Sequence, residues 1–135
     1  MKATAAGEFT VKMTPQSWSE NSTEHGLGRF LLDKQYHGDL EATAQGQMLA
    51  AGDGKPGSSG VYVAIERVRG TLGGRKGSFV LHHTGVMTRG MPALTIQVAP
   101  DSGTDELTGL SGALTIKIAD GKHSYEFAYG LATMQ

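Results

Sequence analysis

Apolar and polar residues alternate along most of this chain with a period of two, which is typical of half-buried β-strands. Phe9, Val11 and Met13 alternate with Thr10 and Lys12 in the first such segment. Seven further segments have strand-like composition: 29–36, 40–48, 61–69, 77–87, 91–99, 113–119 and 122–133. No segment has the 3.6-residue apolar spacing of a long helix. The pattern therefore predicts an all-β fold of eight strands.

The last two strands form the best-specified hairpin. Asp120-Gly121 is a strong signal for a two-residue hairpin turn, because both positions favour positive φ. A turn at these residues pairs Ile118 with His123. It places one set of mostly apolar residues on a single face: Leu114, Ile116, Ile118, His123, Tyr125, Phe127, Tyr129 and Leu131.

A turn at 37–39 joins the second and third strands and pairs Tyr36 with Leu40. The apolar face of the second strand then meets small residues of the third, which suit the taper or close-packed wall of a small barrel. These residues are Ala42, Ala44 and Gly46.

Eight strands joined mainly by hairpins predict a small antiparallel eight-stranded β-barrel, because closing the sheet removes its edges. A β-sandwich is the alternative. The length of 135 residues is that of one domain, 1–135. Two loops stand out. The polar stretch 14–26 is expected to be a loop or lid, in which Trp18 is a plug across the barrel mouth, an interface anchor or a residue that simply packs at the edge. The connection 100–112 is expected to hold one helical turn at 104–107.

Composition and charge exclude several classes of protein. The chain has no cysteine, so disulfides, thiolate zinc sites and a cysteine nucleophile are excluded. Its net charge is −1, from 12 basic and 13 acidic residues, which argues against nucleic acid or an anionic membrane as partner. Apolar runs are too short to span a membrane. The N-terminus lacks the apolar core of a signal peptide, so we expect a cytoplasmic location.

The hairpin of the fourth and fifth strands, with its turn predicted at 70–74, contains the most interesting candidate chemistry. Its register places Tyr62 near His83 and Glu66 near Phe79, on a face of otherwise apolar residues. A buried glutamate with a raised pKa beside a histidine is an acid–base pair or a ligand anchor. The alternatives are an internally satisfied polar network, or an ion pair of Glu66 with an arginine, either Arg29 or Arg67.

No metal or cofactor site is predicted. His82 and His83 are adjacent on one strand and therefore point to opposite faces, so they cannot bind one internal ion. Tyr125 and Tyr129 point inward by the hairpin register. They either fill the core with satisfied hydroxyls or line a cavity.

Four parts of the chain resemble a bacterial family named only as a domain of unknown function: Gly38–Glu41 with Gly46–Leu49, Tyr62–Leu72, Gly74–His83, and Ser102–Gly112 with Asp120–Tyr125. The resemblance extends from about Gly7 to Leu131. It implies a barrel like that of allene oxide cyclase, in a superfamily that also includes, more distantly, dirigent proteins. A homo-oligomer is expected from the same resemblance. The family brings no established activity.

Three hypotheses of function follow, and the sequence leaves open whether the protein is an enzyme. The first is binding of a small apolar or amphipathic molecule inside the barrel. Its candidate ligand-binding residues are Tyr62, Glu66, Leu81, His83, Tyr125, Phe127 and Tyr129, with Phe30, Leu114 and Ile116 as apolar neighbours. The second is a cofactor-independent cyclase or isomerase that uses Glu66 and His83. The third is a structural oligomeric module with a filled interior.

Overall fold

A computed structural model describes residues 1–17, 26–52 and 55–132 of the chain. Eight strands make up almost all of it. Their bounds are β1 Lys2–Gln16, β2 Leu27–Gly38, β3 Leu40–Gly52, β4 Gly60–Leu72, β5 Arg75–Thr88, β6 Met91–Val98, β7 Leu110–Ala119 and β8 Lys122–Leu131. A 3-10 turn, Asp105–Leu107, lies where one helical turn was expected.

The strands form a closed antiparallel barrel in sequence order, with β1 paired to β8. The predicted fold class is confirmed, and the sandwich alternative is wrong because both outer strands pair with each other. Trp18 and most of the polar loop around it lie outside the described residues, as does the predicted end of the last strand at Thr133. No helix within the described residues is long and apolar enough to cross a membrane.

The register of the β7–β8 hairpin is confirmed. Ile118 lies opposite His123, as the Asp120-Gly121 turn predicts. Both turn residues have positive φ, 53° for Asp120 and 75° for Gly121. The same register places Leu114 opposite Phe127 on the inner face.

The register predicted for β2 and β3 is wrong by two residues. Tyr36 lies opposite Ala42 and not Leu40. The reason is that the end of β2 stays paired to β1, with Gly38 opposite Gly7, and the start of β3 is paired to β4, with Leu40 opposite Leu72. The last β2–β3 pair is therefore followed by five residues, 37–41, instead of three. Since the shift is even, every side chain keeps its predicted face.

The register predicted for β4 and β5 is also wrong by two residues. Tyr62 lies opposite Gly85, and Glu66 lies opposite Leu81. Both strands continue into or toward the predicted turn at 70–74, because β4 ends at Leu72 and β5 begins at Arg75. The observed turn contains only Gly73 and Gly74, with φ of 55° and 85°. Here too the shift is even, so Glu66 and His83 share the inner face as predicted.

The first strand begins earlier than its apolar pattern indicates. Its N-terminal half has Ala3 and Ala5 on the inner face. Because alanine is small and only weakly apolar, the alternation of apolar and polar residues is hard to recognise there. The two alanines lie opposite Tyr129 and Phe127 of β8, so small residues on one strand accommodate rings from the next. This pairing closes the barrel.

The two ends of the barrel differ. At one end the 3-10 turn packs Leu107 against Gly77, and the interior is filled by buried apolar residues, which we call the sealed end: Leu40, Leu72, Phe79, Leu107, Leu110, Phe127 and Tyr129. β6 and β7 pair only at Gln97 and Ala113, so the two strands are unpaired toward the other end, which we call the open end. Ile118 belongs to an inward-facing set yet is 66% exposed there.

Candidate functional site

The open end contains a cavity of about 780 Å³ between β2 and β6. Its wall is mainly apolar and includes Phe30, Met48, Tyr62, Met87 and Leu94. Polar residues of the β3–β4 loop, Lys55, Ser58 and Ser59, lie along its rim. Cavities of this size and character are typical of sites for small organic molecules.

A buried ionic cluster lies inside the barrel, one layer deeper than the cavity. Glu66 Oε2 lies 2.7 Å from Lys34 Nζ and 3.0 Å from His83 Nε2. The three side chains are 0%, 6% and 4% exposed, in that order. Burying an unpaired charge at this depth costs roughly several kcal/mol. Lys34 and Glu66 can therefore both be buried in their charged forms only because each pairs with the other.

Tyr36 completes the cluster and binds the second carboxylate oxygen. Its hydroxyl donates a hydrogen bond to Glu66 Oε1. By contrast, Glu66 Oε2 and His83 Nε2 have no well-directed hydrogen bond within the described part of the chain, although both are buried. The cluster therefore combines one directed hydrogen bond to Oε1 with two close contacts to Oε2, from Lys34 and from His83.

The small residues of β3 make this cluster possible. Lys34 on β2 and Glu66 on β4 are separated by β3, which places their strands about 10 Å apart. Ala44 lies opposite Lys34, and Gly46 lies opposite Glu66. A Cβ on Gly46 would come within 2.9 Å of the Glu66 Cβ and 2.0 Å of the backbone oxygen of Ile65. The small side chains thus leave the space over β3 through which the two long side chains meet.

The sequence-based expectation of a raised pKa for Glu66 is wrong. Burial alone would raise this pKa, but the His83 contact and the positive charge of Lys34 outweigh burial and lower it to about 2. The expected ion pair with an arginine is also wrong. Arg29 instead donates to Gln47 Oε1 at 3.0 Å, and Arg67 is exposed on the outside of β4.

Lys34 is the partner that the sequence reasoning missed. A signal for it exists, because Lys34 lies between Leu32 and Tyr36 on the alternating inner face of β2. A lone lysine in such a position is costly unless it meets a buried acid. Glu66, with the same property on β4, is the complementary charge.

Tyr62 connects the cluster with the cavity. Its half-buried ring lines the cavity and packs over Gly85, and its centroid lies 6.4 Å from that of His83. Burial raises the pKa of the Tyr62 hydroxyl, and the negative charge of Glu66 raises it further. The phenol therefore stays protonated at neutral pH and is available as a hydrogen-bond donor.

The other predicted ligand-binding residues are not in the cavity wall. Leu81, Tyr125, Phe127 and Tyr129 belong to the buried core. The Tyr125 hydroxyl donates to the His37 carbonyl at 2.8 Å and accepts from the Leu40 amide at 3.0 Å. The structure thus brings Tyr62, Glu66 and His83 together, while the remaining four residues pack elsewhere in the interior.

The two adjacent histidines are separated as the strand alternation predicts. His83 is buried in the cluster, whereas His82 lies on the opposite, partly exposed face of β5. Among the described residues, no group of three or more histidine, aspartate or glutamate side chains is arranged to hold a metal ion.

These features define a class of protein: a closed eight-stranded antiparallel barrel with an apolar cavity at one end and a buried ionic cluster beneath it. The chain belongs to the DUF3224 family, described as proteins of unknown function, whose profile matches residues 5–129. A search of curated proteins finds no match.

A crystal structure from the same family is similar to this chain over nearly its whole length. It is a protein of unknown function from Shewanella oneidensis MR-1, 45% identical in sequence, with a TM-score of 0.89. The match covers 98% of this chain and 100% of that chain. This likeness supports the barrel fold and does not indicate an activity.

Proposed function

We propose that this protein binds a small apolar or amphipathic molecule in the cavity at the open end. The observation that carries the proposal is the mainly apolar cavity of about 780 Å³. Burial is worth about 0.8 kcal/mol per methylene, so a ligand that buries eight methylenes gains about 6 kcal/mol before the costs of association. An apolar wall is therefore enough for measurable binding of a modest ligand.

The alternative of a cofactor-independent cyclase or isomerase has weaker support. Glu66 is ionised and could accept a proton, but its side chain is fully buried and paired with Lys34. A base must come within hydrogen-bond reach of the substrate. The likeness to allene oxide cyclases stays a proposal at the level of the fold, and we take no residue role from it.

The third alternative, a module with a filled interior, is disfavoured by the same cavity. A homo-oligomer and a cytoplasmic location, both expected from the sequence, stay predictions. Neither is needed for binding in the cavity.

Toluene, an uncharged apolar probe, tests the proposal in the intact protein with methyl-labelled methionine. Met48 and Met87 line the cavity, whereas Met1 and Met13 are not part of its wall. Met13 is a matched reference for Met87, because the two are similarly exposed, at 44% and 40%. We expect toluene to shift the NMR signals of the first pair in a saturable way and to leave the second pair unchanged. Equal small shifts at all four methyl groups would mean nonspecific contact and would contradict the proposal.

A cavity-filling variant provides the matched control. Ala50 lines the cavity, and its neighbour Leu49 is 39% exposed on the opposite face of β3. We expect Ala50→Phe to abolish the toluene shifts and Leu49→Phe to retain them. If Ala50→Phe binds toluene as well as the unmodified protein, the cavity is not the site.

A further inference from the structure

Tyr62 places an uncharged hydrogen-bonding group in the wall of the cavity, on the side of the buried ionic cluster. Within the described residues the Tyr62 hydroxyl has no hydrogen-bond partner, although its ring lines the cavity. Beneath it, and outside the cavity wall, His83 Nε2 and Glu66 Oε2 are buried 3.0 Å apart without a well-directed hydrogen bond. Buried polar groups are normally satisfied, so this end of the site is suited to a polar atom supplied by a ligand.

The charge of the same region argues against an ionised ligand group. Lys34 and Glu66 are a close pair at 2.7 Å, so their charges largely cancel. A carboxylate or an ammonium placed at this depth would lose its water without a counter-ion of its own. An uncharged oxygen avoids that cost and still accepts a hydrogen bond from a phenol.

We propose that the ligand is an uncharged apolar molecule with one hydroxyl or carbonyl oxygen, and that this oxygen binds beside Tyr62 at the deep end of the cavity, next to His83. This inference rests on the proposed function and extends it by naming the class of ligand and its orientation. The apolar part of the ligand lies toward the rim, along Phe30, Met48 and Leu94.

Four probes of equal chain length test the class of ligand: octan-1-ol, octan-2-one, octanoate and octylammonium. Each is titrated into the intact protein while the signals of Met48 and Met87 are followed. We expect the alcohol and the ketone to bind about tenfold more tightly than either ion, because only the ions lose hydration without compensation. Tightest binding of octanoate would overturn the inference and favour a head group at the rim, near Lys55.

A conservative variant tests the position of the oxygen. Tyr62→Phe removes one hydroxyl from a half-buried ring and leaves its packing intact. We expect it to weaken octan-1-ol binding by about two- to tenfold, the usual value of one hydrogen bond, and to leave toluene binding unchanged. Thr84→Val, on the exposed face of β5 beside His83, is the control and should change neither affinity.

The two proposals fail in different ways. If toluene binds and Tyr62→Phe has no effect on octan-1-ol, the deep oxygen site is wrong and the cavity proposal survives. If neither toluene nor any octyl probe shifts Met48 and Met87, both proposals are wrong. A shift of the His83 ring nitrogens on binding octan-1-ol, absent with toluene, would support an oxygen bound beside Tyr62, whose ring lies next to that of His83.

Discussion

The sealed end and the open end of this barrel consist of the same alternating strands, yet their interiors differ. At the sealed end, Phe79 and Phe127 stack at 5.8 Å and Leu107 covers the opening. At the open end, inward-facing Leu94 and Ile118 are 44% and 66% exposed. The sealed end thus supplies the apolar burial that stabilises the fold. Because that burial does not depend on the open end, a cavity can exist there without loss of the core.

The ionic cluster marks the border between these two regions. Lys34 Nζ lies 5.3 Å from the ring centroid of Phe9, which is buried in the core, and His83 lies beside Tyr62 of the cavity wall. Replacing a buried ion pair by apolar residues is often neutral or stabilising, so a cluster of this kind is weak evidence for stability. Its position directly beneath the cavity instead favours a role in the site.

The largest expected effect comes from breaking the cluster on one side. Lys34→Met leaves Glu66 buried without its positive partner, and we expect a loss of about 3–5 kcal/mol in the free energy of unfolding, measured with urea. The double variant Lys34→Met with Glu66→Leu should recover most of that loss, because no uncompensated charge remains. A double variant as unstable as the single one would show that the loss comes from packing.

Acid should weaken the ionic cluster and thereby lower the free energy of unfolding. The pKa of Glu66 is about 2 in the folded protein, below its ordinary value of 4.5, so the unfolded chain binds this proton more readily. Its contribution is complete above about pH 4.5 and is lost as the pH falls toward about 2, a change of roughly 3 kcal/mol. We expect the free energy of unfolding of the unmodified protein, taken relative to that of the double variant, to fall as the pH is lowered through this window. A difference between the two proteins that stays constant with pH would contradict the ion pair.

Truncating one aromatic residue at the sealed end and one at the open end tests whether the two ends differ in how tightly they are packed. Phe127→Ala removes a fully buried ring at the sealed end and should cost about 3–5 kcal/mol. Phe30→Ala removes a half-buried ring from the cavity wall, where we expect a loss of less than about 1.5 kcal/mol, because the site already borders open space. Urea unfolding of both variants measures the difference. Equal losses would mean that the open end is as tightly packed as the sealed end.

Much of the fold could be predicted from local pattern. The alternation along each strand correctly assigns Glu66 and His83 to the inner face, and the Asp120-Gly121 turn correctly sets a whole hairpin. The registers predicted for the β2–β3 and β4–β5 hairpins were wrong by two residues, because the lengths of their turns depend on contacts with neighbouring strands. Because those shifts are even, the predicted faces were still correct.

The candidate site was only partly predictable. Glu66 and His83 could be grouped because they lie on adjacent strands of one hairpin. The contact of Lys34 with Glu66 was harder to predict, because Lys34 lies on β2 and reaches Glu66 on β4 across the intervening strand β3. The predicted direction of the Glu66 pKa shift was wrong because burial, which raises this pKa, is outweighed by the His83 contact together with the positive charge of Lys34.

The sequence by itself determined the strand alternation, the all-β class and the residues that face the interior, because side chains alternate along a strand whatever its neighbours are. Only the tertiary structure decided how the interior is divided. Closure of β1 on β8, the space over Ala44 and Gly46, and the divergence of β6 from β7 all depend on residues distant in sequence. These contacts determine that aromatic rings fill one end of the barrel and a cavity occupies the other.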